Sequence, residues 1–354
     1  MSEINVNTIK KADGTGSLTV PAESGTVVTT ASPSLGRRNL IINGAMQVAQ
    51  RGTSASGIGT GGYRTVDRFQ GVQSGYTTHR VTYDQSTDAP DGFSNSYKVT
   101  TTVADSGLNY WIIRQSVEAQ NLQHLKYGTS SAQSLTLSFW VKSSTTGTFG
   151  VHLYSQDGSR IIGSTYTINS ANTWENKTVI FDGDVSGVIT NDNGRGIDVS
   201  WMLHASASYT SSDNTSWGSY STSKLGYGHT ANDWATTTNA TFQITGVQLE
   251  VGSVASSYEH RSYGEELAAC QRYYASMNDY LWIPLTRISD NIRMGTYFFP
   301  QTMRATPSIT ETKNLDGITT FGRNNVTTRS LMFRTDGSAD SVPRVESVQA
   351  DAEL

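Results

Sequence analysis

A single cysteine, Cys270, excludes an internal disulfide framework in this chain of 354 residues. Charge is scarce too. Asp, Glu, Lys and Arg make up 16% of the chain, for a net charge of -4. No basic stripe is available to displace counterions, so nucleic acid is not an expected partner. No apolar run approaches the ~20 residues that span a bilayer, so membrane insertion is not expected. The opening Met1-Ser2-Glu3-Ile4-Asn5 has neither the basic nor the apolar region of a secretory signal. The expectation is therefore folding in a cytoplasm without signal-dependent export.

What fills the gap left by charge is Ser, Thr, Asn and Gly, which favour turns and strand surfaces over helix interiors. Hydrophobic residues stand at 36%, yet 17 Tyr and 7 Trp supply enough apolar area for a packed core and argue against disorder. The length suits two domains and a tail. The composition reads as all-β with long polar loops.

From about Arg37 to Ser262 the pattern is alternation. Leu135, Leu137, Phe139 and Val141 point one way, with Thr136, Ser138, Trp140 and Lys142 between them. Phe149, Val151 and Leu153 repeat the pattern, as do Val179 and Phe181. Ile197, Val199, Trp201 and Leu203 follow, then Phe242 and Ile244, then Val247, Leu249 and Val251. Asp157-Gly158, Asp182-Gly183 and Asn193-Gly194 mark turns. Short alternating strands without intervening helices predict two packed antiparallel sheets. One helix stands out: Ser262 to Glu265 matches a capping box, and Leu267, Cys270, Gln271 and Tyr274 follow at helical spacing. It is expected to link the sandwich, residues 36–262, to a small C-terminal β domain within 263–354. Strands are expected there from Tyr280 onward, at Tyr297–Phe299, Ser308–Thr310 and Leu331–Phe333. Residues 1–35 stand apart. Two β-prone runs, Gly16–Pro21 and Gly25–Thr29, cannot bury a face alone; either this is a disordered leader or neighbouring chains complete it. Ser32-Pro33-Ser34 reads as a hinge.

Several phrases resemble those of tailed-bacteriophage fibre and related virion proteins that carry a carbohydrate-binding-module-like jelly roll. They are Asn39-Leu40-Ile41-Ile42-Asn43-Gly44-Ala45-Met46-Gln47-Val48-Ala49-Gln50-Arg51-Gly52, Val66-Asp67-Arg68-Phe69, Gln115 with Glu118, and Leu137–Lys142. Trp174, Val247–Gly252, Tyr258-Glu259, Cys270–Tyr274, Phe299-Pro300, Met303-Arg304 and Pro307 continue the series. The resemblance covers about Asn39 to Pro307. It departs from the usual pattern at Ala255-Ser256 and in the long stretch Ala205–Thr238. It implies a jelly-roll sandwich, a virion location and glycan contact. A surface-type composition without a secretion signal suits such a part, which is assembled in the host cytoplasm and released by lysis.

Catalysis finds little in the sequence. There is no His-Glu-x-x-His zinc helix and no Gly-x-Ser-x-Gly elbow. Cys270 sits in an Ala-rich helical stretch and reads as packing. A depolymerase would need two carboxylates across a glycosidic bond, and Glu118 and Glu250 are the candidates. Pairing with Arg68 or Arg114, or a calcium ion, is the structural alternative. No cofactor is expected beyond a structural calcium, for which Asp182, Asp184, Asp192 and Asn193 could donate oxygens.

The loop Ala205–Thr238 interleaves Tyr209, Trp217, Tyr220, Tyr227 and Trp234 with small polar residues. Rigid rings with adaptable polar neighbours suit sugar stacking. The expected platforms are Trp217 and Trp234, supported by Tyr220 and Tyr227. The alternative is that these rings anchor the loop or seal a subunit contact. The leading expectation is a non-enzymatic homotrimeric tail fibre that attaches to host glycan and joins other virion proteins through residues 1–35. A head-attached fibre or capsid decoration protein comes next, then a polysaccharide-degrading tailspike. A secreted bacterial carbohydrate-binding protein comes last.

Overall fold

The computed structural model describes residues 8–10, 17–19 and 38–354, except 76–77, 232, 278–285, 290–291, 315–317 and 338–343. Residues 1–37 and 38–354 are two separate compact units. In the first, β1 (Thr8–Lys10) and β2 (Ser17–Thr19) pair antiparallel, with Ile9 opposite Leu18. β2 lies in the first β-prone run. The second run, Gly25–Thr29, and the hinge at Ser32–Ser34 lie outside the described residues.

The second unit begins with β3 (Ser54–Ile58), β4 (Gly62–Tyr63), β5 (Gln70–Ser74), β6 (Arg80–Ser86) and β7 (Ser96–Val103). β8 (Tyr110–Glu118), β9 (Leu135–Ser143), β10 (Gly147–Ser155), β11 (Arg160–Ile168) and β12 (Glu175–Phe181) follow. β13 (Arg195–Ala205), β14 (Gly218–Ser219), the short helix α1 (Asp233–Thr236) and β15 (Thr241–Val251) complete a two-sheet antiparallel sandwich. One sheet runs β14-β11-β10-β13-β8-β5-β4 and the other β12-β9-β15-β7-β6-β3.

The alternation dictates this arrangement. Leu135, Leu137, Phe139 and Val141 of β9 are buried against Ile197, Val199, Trp201 and Leu203 of β13 in one core. The Phe139 ring meets Trp201 edge-on at 5.8 Å, and Phe149 meets Phe242 at 5.6 Å, so aromatic pairs join the two sheets. The runs 242–244 and 247–251 prove to be one strand. Gly246, at φ +60°, makes a bulge between them, because a Cβ there would lie 2.6 Å from the Phe93 ring.

Residues 39–52 form no strand and instead plug the sandwich. Asn39 Oδ1 accepts from the backbone of Ile41 and Leu249, both at 3.0 Å, and its amide donates to Val247 O. Asn43, in the left-handed region at φ 60°, satisfies both backbone groups of Val48 at 2.9 Å. Ile41, Met46 and Val48 are fully buried beneath these bonds.

α2 (Tyr263–Gln271) carries the expected reciprocal cap between Ser262 and Glu265. Tyr274 is not in it. The helix stops at Gln271, and Tyr274 opens β16 (Tyr274–Met277), because pairing with a distant strand overrides helical spacing. β17 (Thr286–Arg287), β18 (Ile292–Phe298), β19 (Ser308–Asn314), β20 (Ile318–Val326), β21 (Ser330–Gly337) and β22 (Arg344–Asp351) build two further sheets, β16-β22-β19 and β17-β18-β21-β20. Their own core includes Phe299, Met303, Leu331, Phe333 and Val348. Tyr280, the expected start of this region, lies outside the described residues. No helix among the described residues is long and apolar enough to cross a membrane.

The plug depends on close approach at Gly44, where a Cβ would stand 2.2 Å from Val247 O. Gly44→Ala is expected to cost about 1–3 kcal/mol, the range for forced overpacking. Gly264→Ala, on the exposed first turn of α2 with nothing within 4 Å, is expected to be neutral or slightly stabilising. Denaturant melts of the two variants check this pair.

Candidate functional site

Outward-facing positions of the seven-stranded sheet and the loop after β13 build one aromatic surface. On β8 the core takes Trp111, Ile113 and Val117, so Tyr110, Ile112, Arg114 and Ser116 point outward. On β10 and β13 the same parity turns His152, Tyr154, Asp198, Ser200 and Met202 to that side.

The loop is seated on this face. Ile112, Ile161 and Met202 form a small second core with Ala205 and Leu225, flanked by Tyr110, Tyr154 and Tyr209. The Asn214 side chain lies over Gly163, where a Cβ would be 2.1 Å away. The Tyr110 and Tyr209 rings meet edge-on at 5.0 Å, and Tyr154 and Tyr220 lie 4.8 Å apart. Burial raises the pKa of both Tyr110 and Tyr220, and the Arg114 guanidinium pulls each the other way. Tyr220 also feels Tyr110, Tyr154 and Tyr209. Two phenols thus lie within electrostatic reach of Arg114, and each packs against a second tyrosine ring.

Beneath them runs a polar row. In cross-strand register His152 is opposite Ser200, Ser200 opposite Arg114, and Arg114 opposite Gln70. His152 Nδ1, Ser200 Oγ and Arg114 Nε are buried with no hydrogen-bond partner among the described residues. Asp198, fully buried in the next row, accepts from Ser116 Oγ at 2.5 Å and from both Nε and a terminal nitrogen of Arg195. Arg114 reaches it only as an ion pair at 3.5 Å.

The four residues expected from sequence separate. Trp234 is corrected: it is 0% exposed, packed in the sandwich core with its ring 5.5 Å from His79 and 6.2 Å from Trp111. It offers no face to a ligand. Trp217 is half-buried; its Nε1 donates to Asp182 O at 2.6 Å and its ring meets Tyr127 edge-on, pinning the loop to the sandwich. Tyr227 is half-buried, and Tyr220 is 37% exposed within the tyrosine cluster. Sequence reasoning did not single out Tyr110 or Tyr154, and it named Arg114 only as a partner for the candidate carboxylates. For Tyr154 the signal was the polar half of a strand whose apolar half, Phe149, Val151 and Leu153, had been read; β8 had not been read as a strand.

The candidate carboxylates are engaged elsewhere. Glu118 is fully buried in a bidentate pair with Arg272, at 2.8 and 2.9 Å, rather than with Arg68 or Arg114. Glu250 accepts from Ser256 Oγ at 2.6 Å and from Gln248. That contact gives Ser256, the departure noted in the sequence, a local role. Asp184 pairs with Arg160 at 2.6 Å, Asp192 accepts from Gly194 N, and Asn193 donates to Arg304 O. Among the described residues, no group of three or more His, Cys, Asp or Glu converges as a metal site would need. Burial holds the Cys270 thiol protonated.

No protein-family model and no curated protein matches the chain. Solved structures that resemble it include the enzymatically active domain of bacteriophage CBA120 tailspike protein 4. That match has 12% identity and a TM-score of 0.32, and covers 60% of this chain and 21% of that one. A CBM4 structure has 13% identity and a TM-score of 0.30, covering 59% of this chain and 97% of its own. TmCBM61, solved with β-1,4-galactotriose, has 12% identity and a TM-score of 0.29, covering 60% and 99%.

Two buried imidazoles make stability pH-dependent. Burial lowers His79 to about 4 and His152 to about 3. A base with a depressed folded pKa contributes stability fully above its unfolded value, near 6.5, and loses it as pH falls toward the folded value. Asp67 opposes them. Burial raises it to about 6, so its term becomes more favourable from there down to 3.8. Between pH 6 and 4.5 these three groups together leave the unfolded chain binding about one proton more, a contribution of about 1.4 kcal/mol per pH unit to the fall in stability. Glu118, Glu175 and Glu259, all held below the usual carboxylate range, add to it toward the acid end. Asp67→Asn should steepen that slope toward twice the value, read from urea unfolding at three pH values.

Proposed function

We propose that this chain is a non-enzymatic adhesin of a bacteriophage virion, a tail fibre that meets host-surface glycan through the tyrosine cluster around Arg114. The observation that carries the reading is the convergence of Tyr110, Tyr154, Tyr209 and Tyr220 on one sheet face, above buried polar groups with bonding capacity left over. Sugars present C–H faces that stack on rings and hydroxyls that pair with such groups. The jelly-roll sandwich and the phrases between Asn39 and Pro307 support the virion assignment. Tyr227 belongs to the rim of this surface in the proposal, and Trp217 to its anchoring.

A shallow face of this kind retains little free energy after ordering costs, so each site should bind near millimolar strength. Several copies on one fibre raise the effective concentration and convert weak sites into firm attachment. Replacing Tyr209 and Tyr220 together by Ala should reduce adsorption to host cells at least tenfold while shifting stability by under about 1 kcal/mol. Trp234→Ala should instead cost about 3–5 kcal/mol, because it empties a core site. Adsorption that survives the double tyrosine variant would sink the assignment.

The oligomer in this proposal is a homotrimer, with residues 1–35 joining other virion proteins. Phe298, 70% exposed, and Ile288, 61% exposed, lie on and beside β18. Ile292, Met294 and Met332 share Phe298's side of the sheet by register. A second copy is the natural cover for such a face. Sedimentation should show trimers at micromolar concentration, and Phe298→Asp should weaken them; a stable wild-type monomer would refute it.

A further inference from the structure

Resting on the glycan-binding reading, we infer that the ligand of the tyrosine cluster is an acidic sugar, whose carboxylate is read by Arg114. The geometry favours an anion. Arg114 has five N–H donors, but its one side-chain ion pair among the described residues is that with Asp198 at 3.5 Å, and its buried Nε has no acceptor. Asp198 is already served by Ser116 and twice by Arg195. Its charge is therefore shared between two guanidinium groups. Lys224, whose Nζ donates to the Ser219 carbonyl beside Tyr220, adds a third cation. Lys224 also acts on the exposed Asp213, so those two charges offset each other, while Arg114 has only a share of Asp198.

Arg114 is positioned rather than free. Its side chain is 17% exposed and lies on a central strand between β5 and β13, close enough to Tyr110 and Tyr220 to act on both phenols. A planar guanidinium held this way matches a carboxylate with two parallel hydrogen bonds. A neutral sugar would leave some of those donors unmet. His152, two strands away in the row with Ser200 between, is kept neutral by burial and by Arg114 itself, so it does not compete for the anion as a second charge.

The test uses the full chain on an array of uronic-acid, N-acetylneuraminic-acid, neutral-hexose and N-acetylhexosamine oligomers, with methyl esters of the acidic members. Retention should be confined to free carboxylates. It should fall at least tenfold on esterification and for Arg114→Gln, and weaken between 50 and 500 mM salt. Arg114→Lys, which keeps a cation beside Asp198, guards against simple misfolding; it should melt like the wild type yet bind severalfold more weakly. Equal retention of neutral and acidic oligomers, or an acidic preference unchanged in both variants, would overturn the inference and leave the glycan reading standing. A folded wild type that retains no oligomer would overturn both.

Discussion

A buried cation sets the terms for how the sandwich and the C-terminal sheets assemble. Arg68 is 0% exposed and sits in the left-handed region at φ 72°. One terminal nitrogen pairs with Glu353, the other donates to Ser116 O at 2.7 Å, and the guanidinium lies 3.4 Å from the centre of the Tyr273 ring. Burial pulls its pKa down, and the Glu353 carboxylate more than restores it. An unpaired charge at this depth would cost several kcal/mol. The partners come from three places: strand β8, the turn after α2 and residue 353. Withdrawing Glu353 would strand the charge, so the sandwich and the C-terminal end are coupled through Arg68. Arg51 repeats the device alongside, over the Tyr274 ring at 3.5 Å and paired with Asp351 and Glu353.

Several of the phrases that drew attention in the sequence, among them Gln115, Glu118, Gln50 and Arg304, gather at this seam. Gln115 holds both backbone groups of Ile42, at 2.8 and 2.9 Å. Glu118 clamps Arg272, and Gln50 bonds Tyr274 O and Asp67. Glu266 accepts from Asn43 N, and Arg304 donates to Ala352 O, Glu353 O and Asn193 O. A motif that must satisfy buried donors and acceptors tolerates few residue types, which is why it is recognisable. These phrases lie at the seam rather than on the tyrosine face.

That difference explains what was legible. Strands such as β9 and β13 could be read because burying one face imposes a period of two. The cap at Ser262 was legible because its bonds are local. Tyr274 was misplaced because a long-range pairing, not local spacing, decides its state. Trp234 was misassigned because polar neighbours such as Asp233 suggest exposure, while its ring turns into a core completed by His79 and Trp111. The Arg114 cluster was invisible for a related reason. It combines β8, β10 and two parts of a loop, and only the sheet order β10-β13-β8 brings them together.

The same sheet order separates stability from recognition. Arg114, Ser200 and His152 are neighbours across three central strands, so the polar row is held by the backbone ladder rather than by the loop above it. Within the row the imidazole titrates only near pH 3, and a guanidinium keeps its proton throughout the accessible range. The charge presented to a ligand is therefore constant from weakly acid to neutral conditions. Folding has no such constancy, because His79 and His152 must stay neutral in the core while their unfolded forms take up protons below about 6.5. Acid thus acts on this chain through the interior first. Where the fold persists, the surface electrostatics that would select an anionic sugar are unchanged.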